Sequence, residues 1–257
     1  MQRYALKLEY DGSGYAGWQR QHTGPSVQAV LETALGFVAA APVQAVCAGR
    51  TDAGVHARSQ VVHFDAPVER RARAWVLGAN TRLPPDVAVI AAQRVPEGFH
   101  ARYSATQRHY QYRILNTPAR SALQYRRMTW EHKPLDAAAM HTAAQQLLGE
   151  QDFSAFRGPD CQSRTPLRRI TRISVRRDHA QVLLDISANA FLHHMVRNIA
   201  GTLLAVGRGE RPVDWVGEVL ASRDRRRAGV TAPPEGLYFM HVDYPAEFGL
   251  WQDWSPA

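Results

Sequence analysis

The chain has 257 residues, enough for one large or two small domains, and its 45% hydrophobic and 21% charged composition is that of an ordinary soluble globular protein. No run approaches the roughly twenty apolar residues of a membrane span, and Met1 to Tyr10 alternates like a strand where a signal peptide needs an unbroken apolar stretch, so the expected location is the cytoplasm. The formal charge of +8 is carried almost wholly by arginine, Lys7 and Lys133 being the only lysines, and arginine suits bidentate phosphate contacts and stacking on bases, which favours a nucleic-acid partner.

Tyr4, Leu6, Leu8 and Tyr10 alternate with Ala5, Lys7 and Glu9, the period of a half-buried strand. The glycine-rich loop from Asp11 to Arg20 follows, with Tyr15 and Trp18 read as exposed aromatics that either stack on unpaired bases or pack the loop onto its own domain. Ser26 is a good N-cap for an amphipathic helix through Val27, Leu31, Ala34, Leu35 and Val38. Strands are expected over Val43 to Cys47 and Gln60 to Asp65, then a helix from about Arg70 to Asn80 and a strand at Val87 to Gln93. This order, β-α-β-β-α-β, is the ferredoxin-like split unit.

After Pro96-Glu97-Gly98, read as a linker, the second half repeats the order. A strand at Arg108 to Leu115 precedes a helix at Asp136 to Leu148 and strands at Ile170 to Arg177 and Gln181 to Ser187, joined by a turn at Asp178-His179. A long helix from Phe191 to about Val206, a second from Val213 to Ala221 and a last strand at Tyr238 to Asp243 complete it. The expected fold is therefore α+β, two ferredoxin-like halves (1–104 and 105–246) forming a sheet backed by helices, with a frayed tail over 247–257.

Between the two central strands of the first half lies Gly49-Arg50-Thr51-Asp52-Ala53-Gly54-Val55-His56-Ala57. Gly49 and Gly54 allow positive φ and a close ligand approach, and Asp52 sits in a tight loop at a sheet end with a cation two residues before it. Such a carboxylate either caps turn amides or serves as nucleophile, base or metal ligand. On the later helix, Leu192, Met195, Val196, Ile199 and Leu203 share one face, with His193, Arg197 and Gly201 opposite. That face is either solvated or turned toward a cleft between the halves, where Arg197 would pair with Asp52. His193 and His194 point about 100° apart on a helix and so do not jointly bind one metal, and Cys47 and Cys161 have no zinc spacing. No metal is expected.

On the strand at Arg108, Tyr110, Tyr112 and Ile114 face one way and His109, Gln111 and Arg113 the other, the tyrosines serving either as base-stacking or as core aromatics. Basic clusters at Arg126-Arg127, Arg164 with Arg168-Arg169, Arg172, Arg176-Arg177, and Arg223 with Arg225-Arg226-Arg227 read as a phosphate-tracking surface.

The Asp52 stretch, followed by Gln60-Val61-Val62-His63-Phe64, resembles the catalytic loop of tRNA pseudouridine synthases of the TruA type. The resemblance covers nearly the whole chain: Leu8 to Gly12, Gly17 to Gln21, Phe99-His100-Ala101-Arg102, Cys161 to Pro166, His193 to Asn198 and Glu235 to Tyr238 resemble the family's motifs in order. It implies conversion of uridine to pseudouridine at positions 38, 39 and 40 of the tRNA anticodon stem-loop, by a homodimer without metal or organic cofactor, and an active-site cleft between two α+β halves. It further implies Asp52 as the catalytic carboxylate, Tyr110 as a contact to the target base and Arg197 as the cation paired with Asp52. Arg50 and Leu237 are implied substrate-binding residues, Arg50 holding the flipped nucleotide. Ser59 departs from the glycine of many relatives and bears on local turn geometry.

A carboxylate attacking pyrimidine C6 or ribose C1′ gives a covalent intermediate that splits a difficult step, and a base at C5, for which Tyr110 is a candidate, completes the isomerisation. Extruding a stem uridine costs a few kcal/mol, and Arg50 or the Tyr15 to Trp18 loop is expected to stabilise the extruded state. The rival readings are a non-catalytic RNA-binding or chaperone protein and an Asp/His hydrolase with His56 as base. A pure binder has no use for a carboxylate in a positive cleft, and the hydrolase lacks a nucleophile elbow.

Overall fold

Alternation along β1 (Gln2–Tyr10) buries Tyr4, Leu6, Leu8 and Tyr10, and around this strand the first of two compact units is built. The computed structural model describes residues 1–21 and 24–251; one unit comprises 1–108 with 239–257, the other 109–238. Among the described residues no helix is long and apolar enough to cross a membrane.

The first unit runs β1, α1 (Val27–Ala39), β2 (Val46–Cys47), β3 (His56–Ala66), α2 (Ala72–Asn80), β4 (Val87–Arg94), the expected β-α-β-β-α-β order. β1 lies between β3 and β4, antiparallel to both, with Leu6 opposite Val62 on one side and Ala92 on the other. Ser26 caps α1 by accepting from the amide of Ala29, and Val27, Leu31, Ala34, Leu35 and Ala39 form its buried stripe. Trp75 of α2 closes the core against Tyr4 and Phe64, ring centroids 5.2 and 4.9 Å away. β2 is shorter than expected and β3 starts earlier, at His56, so Ser59 is a buried strand residue and not part of a turn.

The second unit carries most of β5 (Gln107–Asn116), then β6 (Thr129–Glu131), α3 (Ala137–Gln145), β7 (Gly149–Asp152), β8 (Leu167–Asp178), β9 (Gln181–Ala188), α4 (Met195–Gly207) and α5 (Trp215–Ser222). β6 runs parallel to β5, and β7, β8 and β9 pair antiparallel in sequence. The turn joining β8 to β9 holds His179 at φ 50°. β6 and β7 are additions to the expected order, both too short for a hydrophobic period to show.

α4 differs from its expectation in start and in surroundings. The chain enters it through a turn with His194 at φ 58°, because the carbonyl of His193 accepts from Gly158 and its amide donates to the thiol of Cys161, partners no helical turn would leave free. Every residue of α4 except Arg197 is buried, so the face opposite the apolar stripe is not solvated. Gly201 makes that possible, since a Cβ there would overlap the carbonyl oxygen of Val230.

The last strand, β10 (Leu237–Asp243), lies beside β3, and Phe239 onward counts with the first unit. Beyond it Phe248 packs edge-on against Phe99 at 5.2 Å and the carbonyl of Gly249 accepts from Gln93. The start of the expected frayed tail is thus packed on the first unit, while 252–257 lie outside the described residues.

Candidate active site

Asp52 sits half-buried in the connection between β2 and β3, and its neighbours on both sides are tied down. The Thr51 hydroxyl pairs with the Tyr10 phenol at 2.8 Å, and the Thr51 carbonyl accepts from the amide of Trp18 at 2.9 Å. Burial pushes the Tyr10 phenol well above its usual range, so this group stays neutral. Val55 donates its amide back to the carbonyl of Asp52 at 3.2 Å, closing a turn with Gly54 at φ 77°. Gly49, by contrast, does not take the positive φ expected of it. The side-chain amide of Gln60, fully buried in β3, donates to the carbonyl of Gly49 at 2.7 Å.

The loop from Asp11 to Trp18 is the other wall of this arrangement. Gly12 donates to His56 Nδ1 at 3.1 Å, and Gly54 donates to the carbonyl of Tyr15 at 3.3 Å. Gly17, at φ 107°, presses so closely that a Cβ would lie 2.7 Å from the carbonyl oxygen of Thr51. Tyr15 and Trp18, expected to be exposed, are 8% and 1% accessible and fasten this loop from inside, so they present no face to a base. Arg50 is exposed beside Asp52 in sequence.

In the second unit, Tyr110 is half-buried on β5 with its ring edge-on to Phe191 at 5.0 Å. Tyr112, two residues on, is a core aromatic: its hydroxyl donates to the carbonyl of Pro233 and pairs with the Thr129 hydroxyl, at 2.7 and 2.6 Å. Leu237 is buried at the start of β10. Arg197, in the first turn of α4, donates from Nε to the carbonyl of Ala232 at 2.8 Å, and Ala232 donates its amide to the carbonyl of Arg197. Asn198, next to it and fully buried, donates to Phe156 and accepts from Thr231 and Arg225 at 2.7 and 3.0 Å. His193 and His194 precede the helix and their rings stack at 3.8 Å, so the 100° separation of neighbouring helix residues does not describe them.

The basic clusters divide. Arg168 is buried and donates to Ser163 and Thr165, and Arg177 donates to Asn116 and Leu135. Arg225 turns inward onto Asn198, Thr231 and Gly229, and burial lowers its pKa. Arg168 and Arg225 are thus internal fasteners, whereas Arg177 is exposed although its guanidinium is tied to Asn116 and Leu135. Arg126, Arg127, Arg164, Arg226 and Arg227 are exposed. Of the supporting residues, Gln60 and Asn198 lie in stretches that resemble the family's motifs, with no role implied for them, and a buried polar residue inside an apolar strand or helix is the sequence signal that marks them; Arg225 lies in a charge cluster with no such signal.

The model of the family described as tRNA pseudouridine synthase matches residues 7–104 and 143–245. This chain belongs to that family. The matched spans contain Arg50, Asp52, Arg197 and Leu237, whereas Tyr110 lies between them. Among similar proteins, tRNA pseudouridine synthase A of Methylococcus capsulatus is 57% identical over 251 residues, 98% of this chain and 93% of that protein. The protein of the same description from Xanthomonas campestris pv. campestris is 56% identical, covering 96% of this chain and 97% of its own length. That from Xylella fastidiosa is 57% identical, with 97% and 98% covered.

Proposed function

We propose that this protein isomerises uridine to pseudouridine in tRNA, at positions 38, 39 and 40 of the anticodon stem-loop, with Asp52 as the nucleophile. The observation that carries the reading is membership of the tRNA pseudouridine synthase family over nearly the full length, with Asp52 inside the matched span. The loop geometry supports it: hydrogen bonds on Thr51, Asp52 and Gly49 fix the backbone and leave the Asp52 side chain half-accessible.

In this mechanism the Asp52 carboxylate attacks either C6 of the pyrimidine or C1′ of the ribose of an extruded uridine. The N1–C1′ bond breaks, the uracil turns within the pocket, and a C5–C1′ bond forms. On the C1′ route Asp52 is displaced as C5 attacks C1′, and on the C6 route it is eliminated as the C5 proton leaves; in both, a base takes the C5 proton and N1 gains one, so atoms balance without a metal or organic cofactor. Tyr110 is the proposed contact to the base and the candidate group for that proton. Arg197 is the proposed cation opposite Asp52, its guanidinium oriented by the carbonyl of Ala232. Arg50, exposed beside Asp52, and Leu237 are proposed to hold the extruded nucleotide. We further propose a cytoplasmic homodimer, whose mass in solution is twice 28.7 kDa.

The position is tested by carbodiimide mapping of pseudouridine in unmodified tRNA transcripts after incubation with the protein. Stops at 38, 39 or 40 are the expected result. Modification elsewhere, with those positions untouched, would refute the assigned position.

A further inference from the structure

The motif Phe99-His100-Ala101-Arg102 plays no part in the chemistry above, yet it builds one of the most heavily braced corners of the first unit. His100 donates its amide to the Ser104 hydroxyl at 3.0 Å and accepts the amide of Ser104 on its carbonyl at 2.9 Å. Its Nδ1 accepts the amides of Arg102 and Tyr103, both at 3.2 Å, as an Asx side chain would in a turn. The amide of Ala101 donates to His63 Nδ1 at 3.1 Å, its carbonyl accepts from the Tyr244 hydroxyl at 2.7 Å, and Arg108 holds the carbonyls of Arg102 and Ala105.

What this corner carries is a column of rings that begins inside the protein and ends in water. His63, buried in β3, meets His100 with centroids 4.6 Å apart, and His100 stacks on Tyr103 at 4.3 Å and 30°. Tyr103 is 75% exposed. Burial in the first place keeps both histidines below their usual pKa, so the column is uncharged near neutrality. The guanidinium of Arg102 lies 5.6 Å from the Tyr103 ring centre.

A single exposed aromatic is ordinary on a protein surface and needs no explanation. One whose backbone is bonded at residue after residue, and whose ring is already backed by two others, has lost its freedom before any partner arrives, so little more is lost on binding. Its outer face suits another flat ring, and the neighbouring cation suits a phosphate attached to that ring. Such a ring joined to a phosphate is an unpaired nucleotide.

We propose that Tyr103 is an RNA-contact residue that extends the His63, His100, Tyr103 column by stacking on an unpaired base of the tRNA, with Arg102 at the adjoining phosphate. The inference rests on the RNA substrate of the reading above and not on the chemistry of Asp52. Its test is binding of an unmodified tRNA transcript by fluorescence anisotropy to the full chain and to Tyr103→Ala, Tyr103→Phe and Tyr103→Trp, with the particle mass of each measured alongside. Expected is a Kd about 10-fold weaker for Tyr103→Ala, with Phe and Trp close to the parent because the face is kept. Three results would overturn it: an unchanged Kd for Tyr103→Ala, a Phe variant as weak as Ala, or a change of particle mass, which would make the ring a contact between copies. Because binding is read without turnover, loss of Asp52 chemistry and loss of this contact are separately visible.

Discussion

The side-chain amide of Gln60 donates to the carbonyl of Gly49 at 2.7 Å, from a strand that leaves the Asp52 loop to the backbone that enters it. The amide oxygen of the same side chain is buried without a hydrogen-bond partner. A fully buried Gln with one end unsatisfied costs stability and is retained only where the other end is needed. Its second, longer contact, 3.5 Å to the Tyr10 phenol, points to the group that holds Thr51.

Replacing Gln60 with Leu removes the donor to Gly49, and is expected to lower kcat about 100-fold, as a misplacement near 1 Å does, while tRNA binding stays intact. The Leu variant loses about 1–3 kcal/mol of folding stability through the unpaired carbonyl. Steady-state kinetics with a denaturant titration measures both, and a Leu variant with parental kcat would show that the loop holds its shape without this bond.

Arg225 is expected to act on stability and not on RNA. Arg225→Met removes three charged hydrogen bonds, to Asn198, Thr231 and Gly229, and should cost about 1.5–3 kcal/mol, lowering the denaturation midpoint. Arg226, exposed and paired to Asp224, should tolerate Met with its denaturation midpoint unchanged. Equal effects at the two positions would contradict the inward orientation of Arg225.

Acid sensitivity has an identifiable source in the first unit. Burial first, then the charges of His100 and Arg3, lower the pKa of His63 to about 4, from an ordinary 6.5. The unfolded chain therefore binds a proton that the folded one refuses, and stability falls as pH drops from about 6.5 to about 4, by up to about 3 kcal/mol, and is regained above that window. His63→Asn keeps an acceptor for the amide of Ala101 and should flatten the profile in that window; urea midpoints from pH 4 to 8 decide it.

Much of this architecture is readable from residues alone, for reasons that also mark where reading stops. β1, α1 and the β8 to β9 hairpin carry full hydrophobic periods with a cap or a turn, so packing and local preference agree. β7 is a polar edge of four residues, Gly149–Asp152, and offers no period to detect. The apolar pattern from Phe191 continues smoothly into α4, and only the non-local bonds of His193 to Gly158 and Cys161 stop the helix short. Charge clusters mislead in the same way: Arg225 and Arg226 are neighbours with opposite fates, decided by Asn198, 27 residues away in sequence, together with Thr231. Asp52 itself stands out because glycines and a cation flank it, whereas the anchors Tyr10, Thr51 and Gln60 become visible only when β1 and β3 are paired.

The most direct test of Asp52 as the nucleophile is tritium release from tRNA transcripts labelled at uridine C5, comparing the parent chain with Asp52→Ala and Asp52→Asn. The account predicts release by the parent and a fall of about 10³-fold or more in both variants, with tRNA binding retained. Release by Asp52→Asn at the parental rate would remove Asp52 from the chemistry, and no release from any tRNA by the parent would leave a protein that binds RNA without turning it over.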